Sequence, residues 1–465
     1  MKMNELSELE NMLDTIFPEE DPPLTDKYAT DFIESLLQLM TCYIENNPKA
    51  VSEPDFHEDF KEDIEEIIYL QFEHELQLNQ TLEEDIDVMI EEAFELFFIT
   101  IMPPRSFSTA LIISKPDKDF IEKTLVYLRS KPQPAQRTDE WYKFRHNLIT
   151  ASNAYKAFEN QSSKNQLIYE KCQPMKGSHN LDVEEVKQIT MVNVNTTLHW
   201  GQKYEPLSVL IYEYLYETKI EDFGCIQHDH YSFLGASPDG INVDPNSERF
   251  GRMLEIKNIV NREIDGIPKK EYWIQTQLQM EVCNLNECDF LETQFKEYEN
   301  YVDYFNDINI NTNANSSSTS FKGFIMYFSG KEGKPLYKYK PLEMKKEKDI
   351  EQWEEDMIHA CEKEGYTWIK NIYWRLECMS CVLILRNKLW FSLNVGEIEK
   401  VWNIILLERE TGYQHRGPNK RIKKESETES ETIKKCLINI DESGKTNVIQ
   451  KKDKIEHFFN LSKTS

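Results

Sequence analysis

The sequence predicts an α/β protein with a mixed central sheet flanked by helices, preceded by an acidic helical N-terminal domain. Three observations predict it. Apolar residues recur at helical spacing through residues 1–100; short stretches of period-two alternation lie between helical patterns from residue 137 onward; and a Pro-rich joint separates the two textures. With 465 residues the chain is long enough for two or three domains, and its 40% apolar and 12% aromatic content is that of a folded protein.

The N-terminal stripes are Phe32, Leu36, Leu37 and Met40; then Ile64, Ile67, Ile68 and Phe72; then Ile86, Met89, Ile90 and Phe94. Pro22-Pro23 and residues 48–54 interrupt them, and together they define a domain over 1–100. Residues 101–136 hold Met102-Pro103-Pro104, a helix over 116–129 and the stiff joint Lys131-Pro132-Gln133-Pro134. Residues 137–412 are read as the α/β domain, with a low-complexity loop at 311–320. Residues 413–465 are too charged and polar to pack, and read as a disordered tail with a basic cluster at 415–424.

Charge is the first constraint on function. A net charge of −28 would argue against a nucleic-acid partner if it were spread evenly. It is not: residues 1–100 carry 28 acids against four lysines, which leaves 54 acids against 50 bases in 101–465. A locally basic groove in the α/β part stays open. Nine scattered cysteines, an odd number, read as reduced thiols of an intracellular protein. The polar, acidic start gives no expectation of a secretory leader, and no apolar run is long enough to span a bilayer. Cys378 and Cys381 have the spacing of half a zinc site, but without a second half, and in an apolar segment, they read as core.

The stretch that carries chemistry runs from 200 to 280. A helix opens with Trp200-Gly201-Gln202-Lys203-Tyr204-Glu205-Pro206. Two strand patterns, 224–228 and 231–236, lead into Ser237-Pro238-Asp239-Gly240, a turn that projects an aspartate. In 252–257, alternation puts Glu255 and Lys257 on one face and Leu254 and Ile256 on the other, toward the core. The next helix carries Tyr272, Gln275 and Gln277; the two glutamines face different sides, so only one reaches a shared site. Cleaving a phosphodiester needs a hard cation held by carboxylates and an amine that orients or deprotonates water. Asp239 and Glu255 supply the carboxylates, Glu205 a third acid, and Lys257 the amine. His228 and His230 read as strand-surface histidines, because magnesium prefers oxygen.

WGQKYE (200–205), SPDG (237–240), LEIK (254–257) and YWIQTQLQM (272–280), with DEWYKFRHNLITAS at 139–152, resemble the motifs of the PD-(D/E)XK nuclease superfamily. They are most similar to the lambda exonuclease and YqaJ-like viral recombinase family, over residues 137–295. The resemblance implies a restriction-endonuclease-like core and a metal-dependent deoxyribonuclease. It implies that Asp239 and Glu255 bind Mg²⁺, with Mn²⁺ able to substitute, and that Glu205 assists the metal site. Lys257 would act on the nucleophilic water, Gln275 would position lysine and substrate, and Arg145 and Ser152 would grip a 5′-terminal phosphate. The implied activity is 5′-to-3′ degradation from double-stranded DNA ends in viral recombination, repair or replication. A single-strand annealing protein is the implied partner, no membrane is involved, and the host cytoplasm or nucleus is the implied location. One departure is Asn258, which stands where Cys-Pro often follows the Glu-x-Lys. The residues alone leave open an endonuclease or junction resolvase of the same superfamily, or a catalytically inactive DNA-binding scaffold.

Two further readings lie outside that stretch. Ile455, Phe458 and Phe459, in a polar tail with no core to serve, resemble a sliding-clamp-binding peptide, although Lys452 replaces its usual glutamine. Tyr373, Trp374 and Trp390 are candidates for base stacking, with aromatic core as the default.

Overall fold

The computed structural model describes residues 26–418, apart from 79–80, 109–111, 114, 135–137, 175–193, 195, 308–320 and 331–332, together with 438–440 and 446–448. Helices α1 (Asp26–Asn46), α2 (Phe56–Gln71), α3 (Glu73–Leu78) and α4 (Thr81–Thr100) form the N-terminal layer. Their buried residues follow helical spacing, as in Leu36, Met40 and Ile44, in Phe60, Ile64 and Ile68, and in Ile86, Ile90, Ala93 and Phe97. Ile67, expected in the second stripe, is 39% exposed, because the buried line passes through its neighbour Ile68.

This layer is not a detached domain. The chain through Gly417 is one compact unit, and one hydrophobic cluster runs from Leu36 and Phe60 to Trp273 and Trp390. Arg105 ties the layer down: it is buried, donates to the carbonyls of Ser52 (3.2 Å) and Pro268, and its own carbonyl accepts from Trp273 Nε1 at 2.7 Å. Asn394 Nδ2 donates to Pro48 O at 3.0 Å. The boundary drawn at residue 100 is therefore a change of composition and not a break in packing. The Pro-rich joint is likewise anchored, since Lys131 Nζ reaches Asp229 at 2.6 Å and Gln227 O at 2.8 Å.

The rest follows as α5 (Lys118–Ser130), α6 (Asp139–His146), β1 (Ile149–Thr150), α7 (Ala151–Ala154), α8 (Gln161–Cys172) and α9 (Thr197–Tyr216). Then come β2 (Ile220–Glu221), β3 (Ile226–Gln227), β4 (Leu234–Ala236), β5 (Gly240–Asn242), β6 (Met253–Asn258), α10 (Lys270–Cys283) and β7 (Glu287–Glu297). The last are α11 (Tyr301–Asn306), β8 (Lys322–Ser329), β9 (Pro335–Tyr339), α12 (Glu347–Lys363), β10 (Thr367–Leu385) and α13 (Lys388–Thr411). Seven strands make the main sheet in the order β2-β5-β6-β7-β10-β8-β9, in which β6 and β7 are parallel and the other pairs antiparallel. A small sheet, β1-β4-β3, stands apart from it.

Both faces of the main sheet are covered, as expected of a sheet flanked by helices. On one face, Tyr204, Leu207 and Ile211 of α9 pack on Phe295, Ile325 and Trp374, while Tyr212 packs on Leu254, Ile256 and Leu291. On the other, Trp273, Ile274 and Leu278 of α10 join Met253, Cys288, Phe290 and Val382 in the main cluster. Gly240 lets the edge close: a Cβ there would collide with Ile220 on β2. Gly251, at φ +80°, makes the turn from β5 toward β6.

Trp374 and Trp390 are each 1% exposed and belong to the core, the default expected of them, so they cannot stack on a base; Tyr373 is half-buried. Other expectations change. Cys378 is exposed beside a register shift in β10, and Cys381 is half-buried, so this pair is not the solid core expected. Packing continues past Thr411, where Arg416 binds Glu408 (2.7 Å). In the separate C-terminal unit, β11 (Ile438–Ile440) pairs antiparallel with β12 (Thr446–Val448), a structured element within the stretch read as disordered. Ile455, Phe458 and Phe459 lie outside the described residues. Among the described residues, no helix is long and apolar enough to cross a membrane.

Candidate active site

The site grows from the β5–β6 register. Gly240 pairs with Leu254, and one step further the antiparallel register sets Asp239 against Glu255. Side chains so opposed share a face, with Cβ atoms roughly 5 Å apart. The Ile256 N–H donates to Asp239 Oδ2 at 2.7 Å and fixes the aspartate at the strand end. Along β6, Leu254 and Ile256 pack toward α9, while Glu255 and Lys257 point under α10, as alternation predicts. Helix α10 covers that second face and buries Glu255 to 1% exposure.

Three side chains of this face form a closed ring. Lys257 Nζ donates to Glu255 Oε1 at 2.5 Å and to Gln275 Oε1 at 3.3 Å, and Gln275 Nε2 donates to the same Glu255 oxygen at 2.7 Å. Tyr272, one helical turn before Gln275, places its ring 4.8 Å from Lys257 Nζ. Gln277 faces elsewhere, bonding Leu385 O and the Asn387 N–H. Burial alone would lower the Lys257 ammonium, but the carboxylates of Glu255 and Asp239 outweigh it and hold the proton above the ordinary lysine range. As an ammonium in this arrangement, Lys257 donates hydrogen bonds and so can orient water or a phosphate oxygen. Burial, then Glu255 and Glu205, push the Asp239 carboxyl well above its usual range, against Lys257 and the Ile256 N–H.

The donor set fits a hard cation. Its charged donors are carboxylate oxygens, with no thiolate or imidazole among them, and they repel one another in a buried setting that a cation would relieve. Among the described residues no three acids, cysteines or histidines converge closely enough to hold a metal ion. Magnesium takes one or two carboxylates and keeps its waters, so Asp239 and Glu255 suffice. Glu205, expected as a third ligand, lies on the exposed side of α9, near enough to act on Asp239 through its charge but without completing a cluster of three. His228 is buried, not on the strand surface, and its Nδ1 accepts from the N–H groups of His230 and Tyr231.

The second group of expected residues adjoins the first. Arg145, at the end of α6, stacks over Trp141 at 4.6 Å and reaches Ser237 Oγ (3.5 Å) and Thr150 Oγ1 (3.4 Å). Thr150 Oγ1 in turn meets Ser152 Oγ at 3.4 Å, and Thr150 opens α7 in a capping box with Asn153. These contacts are long, and the partners are neutral hydroxyls. Ser237 begins the turn that carries Asp239, so the arginine group and the carboxylate group share one short segment.

Sequence reasoning missed three residues here. Gln279 follows Gln275 by four and shares its helix face, a signal that was available: its Nε2 donates to Glu255 Oε2 at 2.7 Å and to Ser237 O at 3.2 Å. Ser237 was seen only as part of a turn. Lys171, on α8, gave no signal; it is 8% exposed and donates to Arg145 O at 2.8 Å. Burial pushes its ammonium down to about 8, and Arg145 and Arg409 push the same way. Below that pH both the folded and unfolded chains hold the proton, and burying the charge costs stability in full. Between about 8 and the ordinary lysine value near 10.4 only the unfolded chain holds it, so the penalty fades as pH rises. Lys171→Met is therefore expected to raise the urea midpoint near pH 7 and to raise it less near pH 9.5. An equal gain at both would contradict this account.

Opposed Asp and Glu where β5 begins beside β6, with a lysine two residues along the strand and a helix of glutamines over it, is the arrangement the nuclease motifs describe. Residues 140–286 match the family model of the YqaJ-like viral recombinase domain. An uncharacterized protein of Acanthamoeba polyphaga mimivirus is 29% identical over 313 residues, 61% of this chain and 54% of its own length. The chain thus spans about half the length of that relative. Among solved structures, the alkaline exonuclease of Laribacter hongkongensis aligns over 60% of this chain and 95% of its own, at 18% identity and a TM-score of 0.31. Its complex with dAMP aligns at 17% identity and a TM-score of 0.30.

Proposed function

We propose that the chain is a Mg²⁺-dependent DNA exonuclease that degrades one strand from double-stranded ends, 5′ to 3′, in viral DNA recombination, repair or replication. The observation that carries this reading is the meeting of Asp239, Glu255, Lys257 and Gln275 at one strand end, beside an Arg145 whose guanidinium meets the hydroxyls of Ser237 and Thr150. Asp239 and Glu255 would hold the cation, which supplies an activated water and neutralises charge developing on phosphorus. Lys257 and Gln275 orient what lies against Glu255. Arg145 offers a planar fork suited to a terminal phosphate, with the hydroxyls of Ser152, Thr150 and Ser237 around it.

The test uses linear duplex labelled at either end, with closed-circular duplex as control. With Mg²⁺, label is expected to leave the 5′ end first and circles to stay intact; chelation is expected to abolish both release and strand loss, and Mn²⁺ to restore them. Cutting of circles would favour an endonuclease or junction resolvase. No cleavage with either metal would favour a DNA-binding scaffold.

A further inference from the structure

We infer that Gln279 is a positioning residue that couples the 5′-end pocket to the carboxylate Glu255, so that a terminal phosphate on the substrate raises turnover and not only binding. This rests on the exonuclease reading above. One amide nitrogen spans the two halves of the site: it donates to Ser237 O at 3.2 Å and to Glu255 Oε2 at 2.7 Å. Ser237 Oγ meets Arg145 Nη1 at 3.5 Å, and Asp239 follows two residues later. The other Glu255 oxygen is already held by Lys257 and Gln275. A phosphate gripped by Arg145 and the Ser237 turn therefore bears, through a single side chain, on the orientation of Glu255.

Gln279 is fully buried, and its Oε1 has no hydrogen-bond partner among the described residues. Turning the amide over would set that oxygen against two acceptors, so the orientation is fixed by the nitrogen. A methionine has nearly the same length but would leave Glu255 Oε2 and Ser237 O without this donor. A glutamate would put a second negative charge against Glu255. Of the common side chains long enough to span the gap, glutamine offers two N–H groups from one neutral atom.

The experiment compares kcat and KM of the full chain with Mg²⁺ on linear duplexes bearing a 5′-phosphate or a 5′-hydroxyl, for the unmodified protein, Gln279→Met and Gln275→Met, with melting temperatures for all three. The unmodified protein is expected to favour the phosphorylated end in kcat. In Gln279→Met that kcat ratio is expected to fall to within about twofold of one, with a melting temperature still well above that of the assay. Gln275→Met, which leaves the Ser237 link intact, is expected to slow the reaction while keeping the ratio. A retained ratio in Gln279→Met overturns the coupling, as does a loss of activity on both ends alike, which would make the amide structural. An unmodified protein that treats both ends equally overturns the reading of Arg145 and Ser152 on which the coupling rests.

Discussion

Lys257→Ala is expected to slow strand degradation by roughly 10²–10³-fold, the usual cost of removing one preorganised donor from a catalytic site. The lysine is held on three sides, by Glu255, by Gln275 and by the ring of Tyr272. Its donors are thus aimed before substrate arrives, and no reorganisation is needed during the reaction. The fold should survive the change, because Glu255 keeps the amides of Gln275 and Gln279 on its two oxygens. Single-turnover rates on 5′-phosphorylated duplex, at saturating enzyme, check this directly. A variant within threefold of the unmodified rate would remove Lys257 from the chemistry.

The largest expected loss of stability belongs to a residue far from the reaction. Asp289, on β7, is fully buried and holds two arginines: Arg249, and Arg252 at 2.9 Å, with Tyr212 Oη donating to it at 2.6 Å. Asp289→Ala would leave those guanidinium charges buried with less than their full complement of acceptors. Breaking a buried pair in this way costs about 3–5 kcal/mol. Arg252 retains Glu287 at 2.9 Å, and Arg249 keeps the ring of Tyr216 at 3.8 Å. Equilibrium urea unfolding measures it; a change below about 1 kcal/mol would mean that the network is solvated.

That same network shows why parts of the fold were hidden in the sequence. β7 and β10 are central strands, yet neither reads as one from periodicity. In β7, Asp289 and Glu292 interrupt the apolar pattern of a strand buried on both faces, and they are tolerated because Arg249, Arg252 and Arg262 meet them. Those partners come from other elements and leave no local trace. β10 changes face at the register shift between Leu376 and Cys378. The β6 strand was legible because its charged residues alternate cleanly with Leu254 and Ile256, and the same alternation placed Glu255 and Lys257 together. Gln275 was legible as one helical position. Gln279, four residues on, was reachable by the same helical spacing, but its link to the backbone carbonyl of Ser237 was not, because no side-chain pattern records it. The acidic N-terminal helices were legible as helices, but their attachment through Arg105 and Asn394 depends on contacts across more than fifty residues of chain.

The central claim is that Asp239 and Glu255 share one divalent cation. Calorimetric titration of Mn²⁺ into the full chain tests it without any substrate. The account predicts one site in the unmodified protein, lost or strongly weakened in both Asp239→Asn and Glu255→Gln. Equal binding in all three proteins, or none in the unmodified one, would contradict it.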